Sequence, residues 1–522
     1  MALSGSLFVD CLVLVLIIYA FLSYRSYSRL AHIPGPTLWG WSVIPLFTIH
    51  LKGTIFERFG ALNKQYGPLV RISPDTLLIA DPDHLRKMSA AKSVYTRGPW
   101  FAATQFVPGT ENILSTRDEQ DHADRRRKMA AGYSGKENPG LEGDVDECVK
   151  DFIELIEKKY ISEPGQRVVH MDLARKVQYF TTDVLSKLAF DDNFHDLKDD
   201  RDNHGYMTEV ETIFPKTFCL CTIPSFLSFL YNSGVASLLA PSDQSQLGLG
   251  KVFAITKAQA AKRFDSAGQL KLPGNRDMMG SFLRHGLNQS QAAQEGVLQM
   301  LAGSESTATG IRATLLCILS NPRVHARLRA EIDELKLGTE EIVPDQSART
   351  LPYLQACIKE GLRWYPPLVG LSSKLTPPEG DIICGYQVPG NVSVGISVLG
   401  VHRNKDLFGP DEDSYRPERW LLLSQGGDEE SSDKIQQMEK NNELIFGYGR
   451  FKCLGMNVNA KEMNKVIVEL VRRFDINIVD SLRPWSTICF GIHLQKDFWV
   501  TVRKRAREVK GIETASDELL ES

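Results

Sequence analysis

The segment Phe446-Gly447-Tyr448-Gly449-Arg450-Phe451-Lys452-Cys453-Leu454-Gly455 constrains this chain more than any other. Glycines on both sides of Cys453 let the backbone turn where a side chain would block it. Arg450 and Lys452 favour the charged form of the thiol. The run Asn457 to Arg473 reads as a helix starting just beyond the cysteine, and a helix N-terminus also favours negative charge. Such a loop is suited to hold a thiolate ligand. A buried structural cysteine in a glycine-rich turn is the competing reading, and context must decide between them.

The rest of the chain supplies that context. Its 522 residues are 43% hydrophobic and 24% charged, an ordinary globular balance. The net charge of -3 implies no nucleic-acid partner. The nine cysteines are scattered at 11, 148, 219, 221, 317, 357, 384, 453 and 489, without a CxxC pair. That excludes a zinc-ribbon or thioredoxin-type site and fits a reducing compartment.

Leu7 to Leu22 is almost wholly apolar, interrupted by Asp10. As a helix it spans about 24 Å, slightly short of a hydrocarbon core of ~30 Å. Arg25 and Arg29 follow it and no basic residue precedes it, so the body is expected on the cytoplasmic side. A cleaved signal peptide would begin with a positive stretch, which is missing. Ile33-Pro34-Gly35-Pro36 then breaks the helix as a stiff elbow.

Along the body, residues 66–82 read as a hairpin around Ser73-Pro74-Asp75 and 372–400 as a second group of short strands. Residues 95–117 read as an irregular aromatic loop, and 141–230 as mostly helical. Residues 240–275 read as a surface loop and 425–443 as a solvated insertion. No internal repeat or dividing linker is evident.

Three further constellations stand out. A long helix from about Gln294 to Ser320 carries Ala302-Gly303-Ser304-Glu305-Ser306-Thr307. Glycine inside a helix costs roughly 1 kcal/mol relative to alanine, and close approach of a flat ligand at Gly303 would justify it. Glu305 and Ser306 add an acid and a hydroxyl able to relay protons through water. Next, Glu360 and Arg363 lie i,i+3 on one helix face, ahead of Trp364-Tyr365-Pro366-Pro367, with Pro417-Glu418-Arg419-Trp420 downstream. An isolated pair of this kind is usually an exposed ion pair. Last, His122 and Arg126, within His122-Ala123-Asp124-Arg125-Arg126-Arg127-Lys128, are spaced i,i+4 so that both can reach one carboxylate. A solvated basic helix is the plainer reading.

Together these motifs resemble the cytochrome P-450 family over about residues 30–505. The resemblance implies a mainly α fold with a small β region, preceded by one N-terminal transmembrane helix. It divides the chain into an anchor (1–24), a basic and proline-rich hinge (25–36), a haem domain (37–505) and a charged tail (506–522). It implies heme b, with Cys453 as the axial iron ligand and Phe446, Gly447 and Gly303 against the cofactor. It casts Glu305 and Ser306 as the catalytic acid and hydroxyl, serine standing where threonine is usual. Arg126, His122 and Lys374 become propionate contacts, since Phe451 occupies the place of the usual arginine or histidine. Glu360, Arg363 and Arg419 become a buried structural network rather than catalytic groups.

The resemblance further implies electrons from NADPH through a separate reductase, docked on a basic face with Arg125, Arg127, Lys128 and Lys452. A small lipophilic substrate would meet segments 95–117, 208–235, Gln299–Ala302, Leu368–Ser373 and Ile488–Ile492, with Trp100, Phe101, Phe106, Phe214, Val369, Leu371 and Phe490 as apolar lining. Gly449-Arg450-Phe451-Lys452-Cys453, Arg483-Pro484-Trp485 and Trp499-Val500 are similar to fungal, pisatin demethylase-like members of secondary metabolism. The expected activity is a monooxygenase on the endoplasmic reticulum membrane, catalytic domain in the cytoplasm. Its rivals are an isomerase, dehydratase or coupling enzyme without net oxygen insertion, and a non-catalytic haem-binding membrane protein.

Overall fold

The structure, a computed structural model, describes residues 2–107, 109–233, 244–271, 277–421 and 429–506. Its centre is the helix Gln289–Leu319, started by an Asn288–Gln291 capping box that satisfies first-turn amides. Buried from Ala292 to Ile318 at all but a few positions, it is wrapped by the helices Leu173–Phe190, Gly248–Lys262, Pro352–Trp364 and Met456–Arg473. Apolar side chains from all of these merge into one core.

Short strands flank the helices, so the expected mainly α architecture with a small β region is the one observed. Leu69–Arg71 and Thr76–Ile79 form the expected hairpin, Leu69 opposite Ile79. Ser393–Ile396 joins it in parallel, then Lys374–Leu375 and Thr96–Arg97 complete a five-stranded sheet. A second β region was not expected from the sequence: the hairpin Ser486–Cys489 with His493–Lys496, and the sheet of His170–Asp172, Trp499–Lys504 and Phe474–Ile478.

Two loop expectations are corrected. Within 240–275, Gly248–Lys262 is a helix that buries Val252, Thr256 and Ala260. Its small residues allow close packing on the central helix: a Cβ on Gly296 would lie 3.1 Å from Thr256 Cγ2. Within 425–443, Glu429–Asn442 is a helix whose Ile435 and Met438 pack with Leu407, Phe408 and Trp420. Residues 234–243, 272–276 and 422–428 lie outside the described residues, as does the tail from 507 onward.

At the amino end, Ala2–Arg29 is one helix, with Val13, Leu14, Ile17, Ile18, Phe21 and Leu22 exposed. Among the described residues no single helix is long and apolar enough to cross a membrane. The Pro-Gly-Pro elbow is tied to the body. Arg71 donates its amide to the Pro34 carbonyl at 2.8 Å, and its guanidinium lies 4.4 Å from the Tyr27 ring centroid. Tyr27 in turn stacks on Trp41 at 4.3 Å.

Candidate active site

The Cys453 loop is built from two 3-10 turns, Glu443–Phe446 and Gly449–Phe451. The Cys453 amide donates to the Phe446 carbonyl at 2.6 Å, closing the loop. Gly449 has φ 56, and a Cβ there would collide with the Ser89 carbonyl; Gly447, at φ 73, would push a Cβ to 2.8 Å from the Phe451 carbonyl. Gly455 caps the helix Met456–Arg473. The amides of Gly455 and Met456 donate to the Cys453 sulfur. Surrounding protein pushes the thiol up by desolvation, and those amides and Arg126 oppose that shift. Cys453 is nonetheless exposed, whereas Cys384 is half-buried and Cys148, Cys219, Cys221, Cys317, Cys357 and Cys489 are buried. The thiol is thus desolvated in a residue that is not covered by its own chain.

The central helix passes beside this loop. Asn459, one turn into the following helix, donates to Thr307 Oγ1 at 3.1 Å. Between Ala292 and Ile318 only Ala302, Gly303 and Ser306 escape full burial, and their i, i+1, i+4 spacing makes them one face. Ser306 Oγ donates to the Ala302 carbonyl at 2.7 Å, which fixes the hydroxyl along the helix. A Cβ on Gly303 would lie 2.7 Å from Leu185 Cδ1, so the glycine also admits a neighbouring helix.

Glu305 is adjacent to Ser306 in sequence but lies in a polar crevice of about 60 Å³ with Arg175, Gln178, Glu211, Arg312 and Lys496. Burial raises its carboxyl to about 7, and Arg312 at 3.9 Å pulls it back. Because the folded value is raised, the proton is favoured in the fold. The stability it brings is present at low pH and lost as pH rises through about 7. If Glu305 supplies protons, turnover falls over the same window, on a background set by Glu211, Arg175, Arg312 and Lys496. Glu305→Gln should lower turnover about a hundredfold and flatten that limb of the kcat–pH profile; an unchanged profile would remove Glu305 from the relay.

A cluster of cations lies on the other side of the Cys453 loop. Arg97 is buried and donates to the carbonyls of Ile113, Leu114 and Thr116 and to His122 Nε2, the last at 3.0 Å. His122 is buried and held down to about 3, first by burial and then by Arg97, Arg126, Arg450 and Lys374. Its ring is therefore neutral and accepts from Arg97. Lys374 is lowered to about 6 by burial, Arg450 and Arg97, and donates to Ser89 Oγ at 2.8 Å. Arg126, half-buried near Cys453, has no hydrogen-bond partner among the described residues. Against these cations stands Glu119, 3.4 Å from Arg450. A surplus of enclosed positive charge beside an enclosed thiol fits haem, whose propionates bring the missing negative charge. Sequence reading missed Arg97. Its one signal was a basic residue opening the aromatic loop.

The ion-pair network is complete. Glu360 accepts from Arg363 Nε (2.9 Å) and Nη2 (2.7 Å), Arg419 Nε (2.9 Å), Trp420 Nε1 (2.8 Å) and the Arg416 amide (2.9 Å). Glu360 and Arg363 are 0% exposed, unlike the isolated surface pair such a motif usually signifies. Arg363 also donates to the carbonyls of His402, Glu412 and Ser414.

The proposed basic docking face is partly dismantled. Arg125 turns inward to buried Glu295 at 2.9 Å, Arg127 and Lys128 pair with Asp124, and Lys452 pairs with Glu443. The expected substrate segments do converge. Trp100 packs on Phe101 and Phe218, and Phe218 on Phe214. The amides of Val369 and Gly370 donate to the Gly491 carbonyl. Val369, Leu371, Phe490 and Ile492 belong to the same buried cluster, and Phe106 packs against it.

A thiol-presenting loop, a helix with an open hydroxyl face and a buried Glu-Arg-Arg network define a haem-thiolate oxidoreductase of mainly helical build. The cytochrome P-450 family model matches residues 33–496, and the chain belongs to that family. It is 36% identical over 488 residues to cytochrome P-450 monooxygenase ABA1 of Pyricularia oryzae, covering 92% of this chain and 93% of that one. It is 35% identical to cytochrome P-450 monooxygenase aba1 of Botryotinia fuckeliana, covering 84% and 85%. The crystal structure of the cytochrome P-450DA haem domain matches the fold with a TM-score of 0.69 at 17% identity, over 91% of this chain and 98% of that one. The protein is thus a cytochrome P-450 monooxygenase with a haem-thiolate cofactor.

Proposed function

We propose that this enzyme inserts an oxygen atom from O₂ into a lipophilic intermediate of fungal secondary metabolism, using electrons from NADPH passed through a separate reductase. The observation that carries this reading is the Cys453 thiol. It lies at the N-terminus of the helix Met456–Arg473, which Asn459 ties to Thr307 of the helix bearing the open face of Ala302, Gly303 and Ser306. Cys453 would ligate the haem iron. Held by this thiolate, haem would supply oxygen activation. Arg97, Arg126, His122 and Lys374 would hold its propionates, and Phe446 and Gly447 shape the loop that presents Cys453. Ser306 presents a hydroxyl at the reacting face, and Glu305 holds a proton in the crevice behind it. The apolar convergence of Trp100, Phe101, Phe214, Val369, Leu371 and Phe490 suits a hydrophobic substrate.

Turnover with reductase, NADPH and isotopically labelled O₂ tests the reading: label is expected in the product. Product without label would favour isomerisation, dehydration or coupling, and no turnover at all would favour a haem-binding protein without catalysis.

The same proposal places the protein on the cytoplasmic face of the endoplasmic reticulum membrane, anchored by residues 1–24. Apolar Leu7 to Leu22 followed by Arg25 and Arg29 supports it, as do the exposed apolar side chains of that helix. Removing residues 2–24 should move the protein from the membrane to the soluble fraction on centrifugation and leave its haem spectrum unchanged. Continued sedimentation with membranes would point to another attachment.

A further inference from the structure

Phe451 lies two residues before Cys453, at the place where a cation was expected. Its ring is instead the meeting point of cations. Lys374 Nζ stands 3.6 Å from the ring centroid, Arg97 Cζ 4.9 Å and Arg450 Cζ 5.0 Å. The His122 ring centroid is 5.3 Å away. Arg97 and Lys374 also face each other directly across the strand pair, an arrangement in which like charges repel, and both side chains are buried. An aromatic face attracts cations without adding charge. An arginine at 451 would add another positive charge to a shell already crowded with them. The backbone under the ring is fixed as well, because the Phe451 carbonyl fills the space beside Gly447.

We propose that Phe451 is a positioning residue for haem: its ring, in place of a charged donor, holds Lys374 and Arg97 together to receive the propionates. The proposal rests on the reading of Cys453 as axial ligand. Burial and its cationic neighbours hold Lys374 below its ordinary range; the propionates would hold it charged, and the ring then offsets its repulsion with Arg97. Lys374 and Arg97 then act as a pair whose spacing the aromatic face sets.

The experiment is haem transfer from the full-length holoenzyme to excess apomyoglobin, with the spectrum of the reduced carbon monoxide complex recorded for each variant. F451L should release haem about tenfold faster than wild type, and F451Y, which keeps the ring, at close to the wild-type rate. All variants should keep the red-shifted Soret band. In a K374M background the F451L substitution should have a clearly smaller effect, because the ring's shortest cation contact is already gone and only those with Arg97 and Arg450 remain. A wild-type release rate for F451L, equal rates for F451L and F451Y, or slower release for F451R than for wild type would each overturn the proposal. If F451L takes up no haem, the F451Y rate decides: near wild type supports the role of the ring, and tenfold faster release refutes it. A wild-type protein lacking the thiolate band would overturn the reading of Cys453, and the proposal with it.

Discussion

Cys453→Ser should abolish the red-shifted Soret band of the reduced carbon monoxide complex and with it all monooxygenase turnover. The serine side chain is close in size, so the loop should keep its form: the Cys453 amide still reaches the Phe446 carbonyl and Gly455 still caps the helix. What changes is the donor. A thiolate is stabilised here by the amides of Gly455 and Met456 and by Arg126. An alkoxide would need a far larger shift in acidity, which these groups do not supply. Haem content should fall less than activity, because the propionate contacts are untouched. A surviving thiolate band would place the ligand elsewhere, and none of the other described cysteines is exposed.

The second large effect is expected at Glu360. Glu360→Ala leaves Arg363 and Arg419 facing each other without their shared carboxylate, both essentially inaccessible to solvent. Breaking a buried pair in this way costs about 3–5 kcal/mol, against a total domain stability of roughly 5–15 kcal/mol. The segments that Glu360 ties together, from Pro352–Trp364 to Arg416 and Trp420, would separate first. Soluble yield, thermal midpoint and haem-to-protein ratio should all fall sharply. Glu360→Gln, which keeps the shape and some acceptor capacity, should fall between. A thermal midpoint for Glu360→Ala near that of wild type would mean that the network is not structural.

The parts of this molecule that were legible in the sequence are those whose meaning is local. The Cys453 loop carries its glycines, its cations and its helix within a short stretch. Glu360 and Arg363 share one helical turn, and proline marks where that helix ends. The parts that were not legible depend on distant pairings. Arg97 is an ordinary arginine until the strand Thr96–Arg97 lies against Lys374–Leu375. Nothing in sequence near Gly303 shows that Leu185 packs beside it. The strand Phe474–Ile478 follows the helix Met456–Arg473 without an intervening turn residue, so its alternation of Phe474, Ile476 and Ile478 was hidden. Gly248–Lys262 read as a loop because Gly248, Gly250, Thr256 and Ala260 interrupt the large apolar residues on its buried face. Arg125 shows the opposite error: a basic run reads as a surface, yet one member of it is drawn inward by a buried carboxylate.

The clasp at Arg71 has a mechanical consequence. A flexible tether would let the first helix point anywhere. Here Arg71 grips the Pro34 carbonyl and the Tyr27 ring at once, so the helix behaves as a lever fixed to the body. Arg71 ends the strand Leu69–Arg71 at one edge of the five-stranded sheet, and Thr96–Arg97 forms the opposite edge, beside Lys374–Leu375. The first helix and the cations around Phe451 are therefore attached to opposite edges of one continuous sheet.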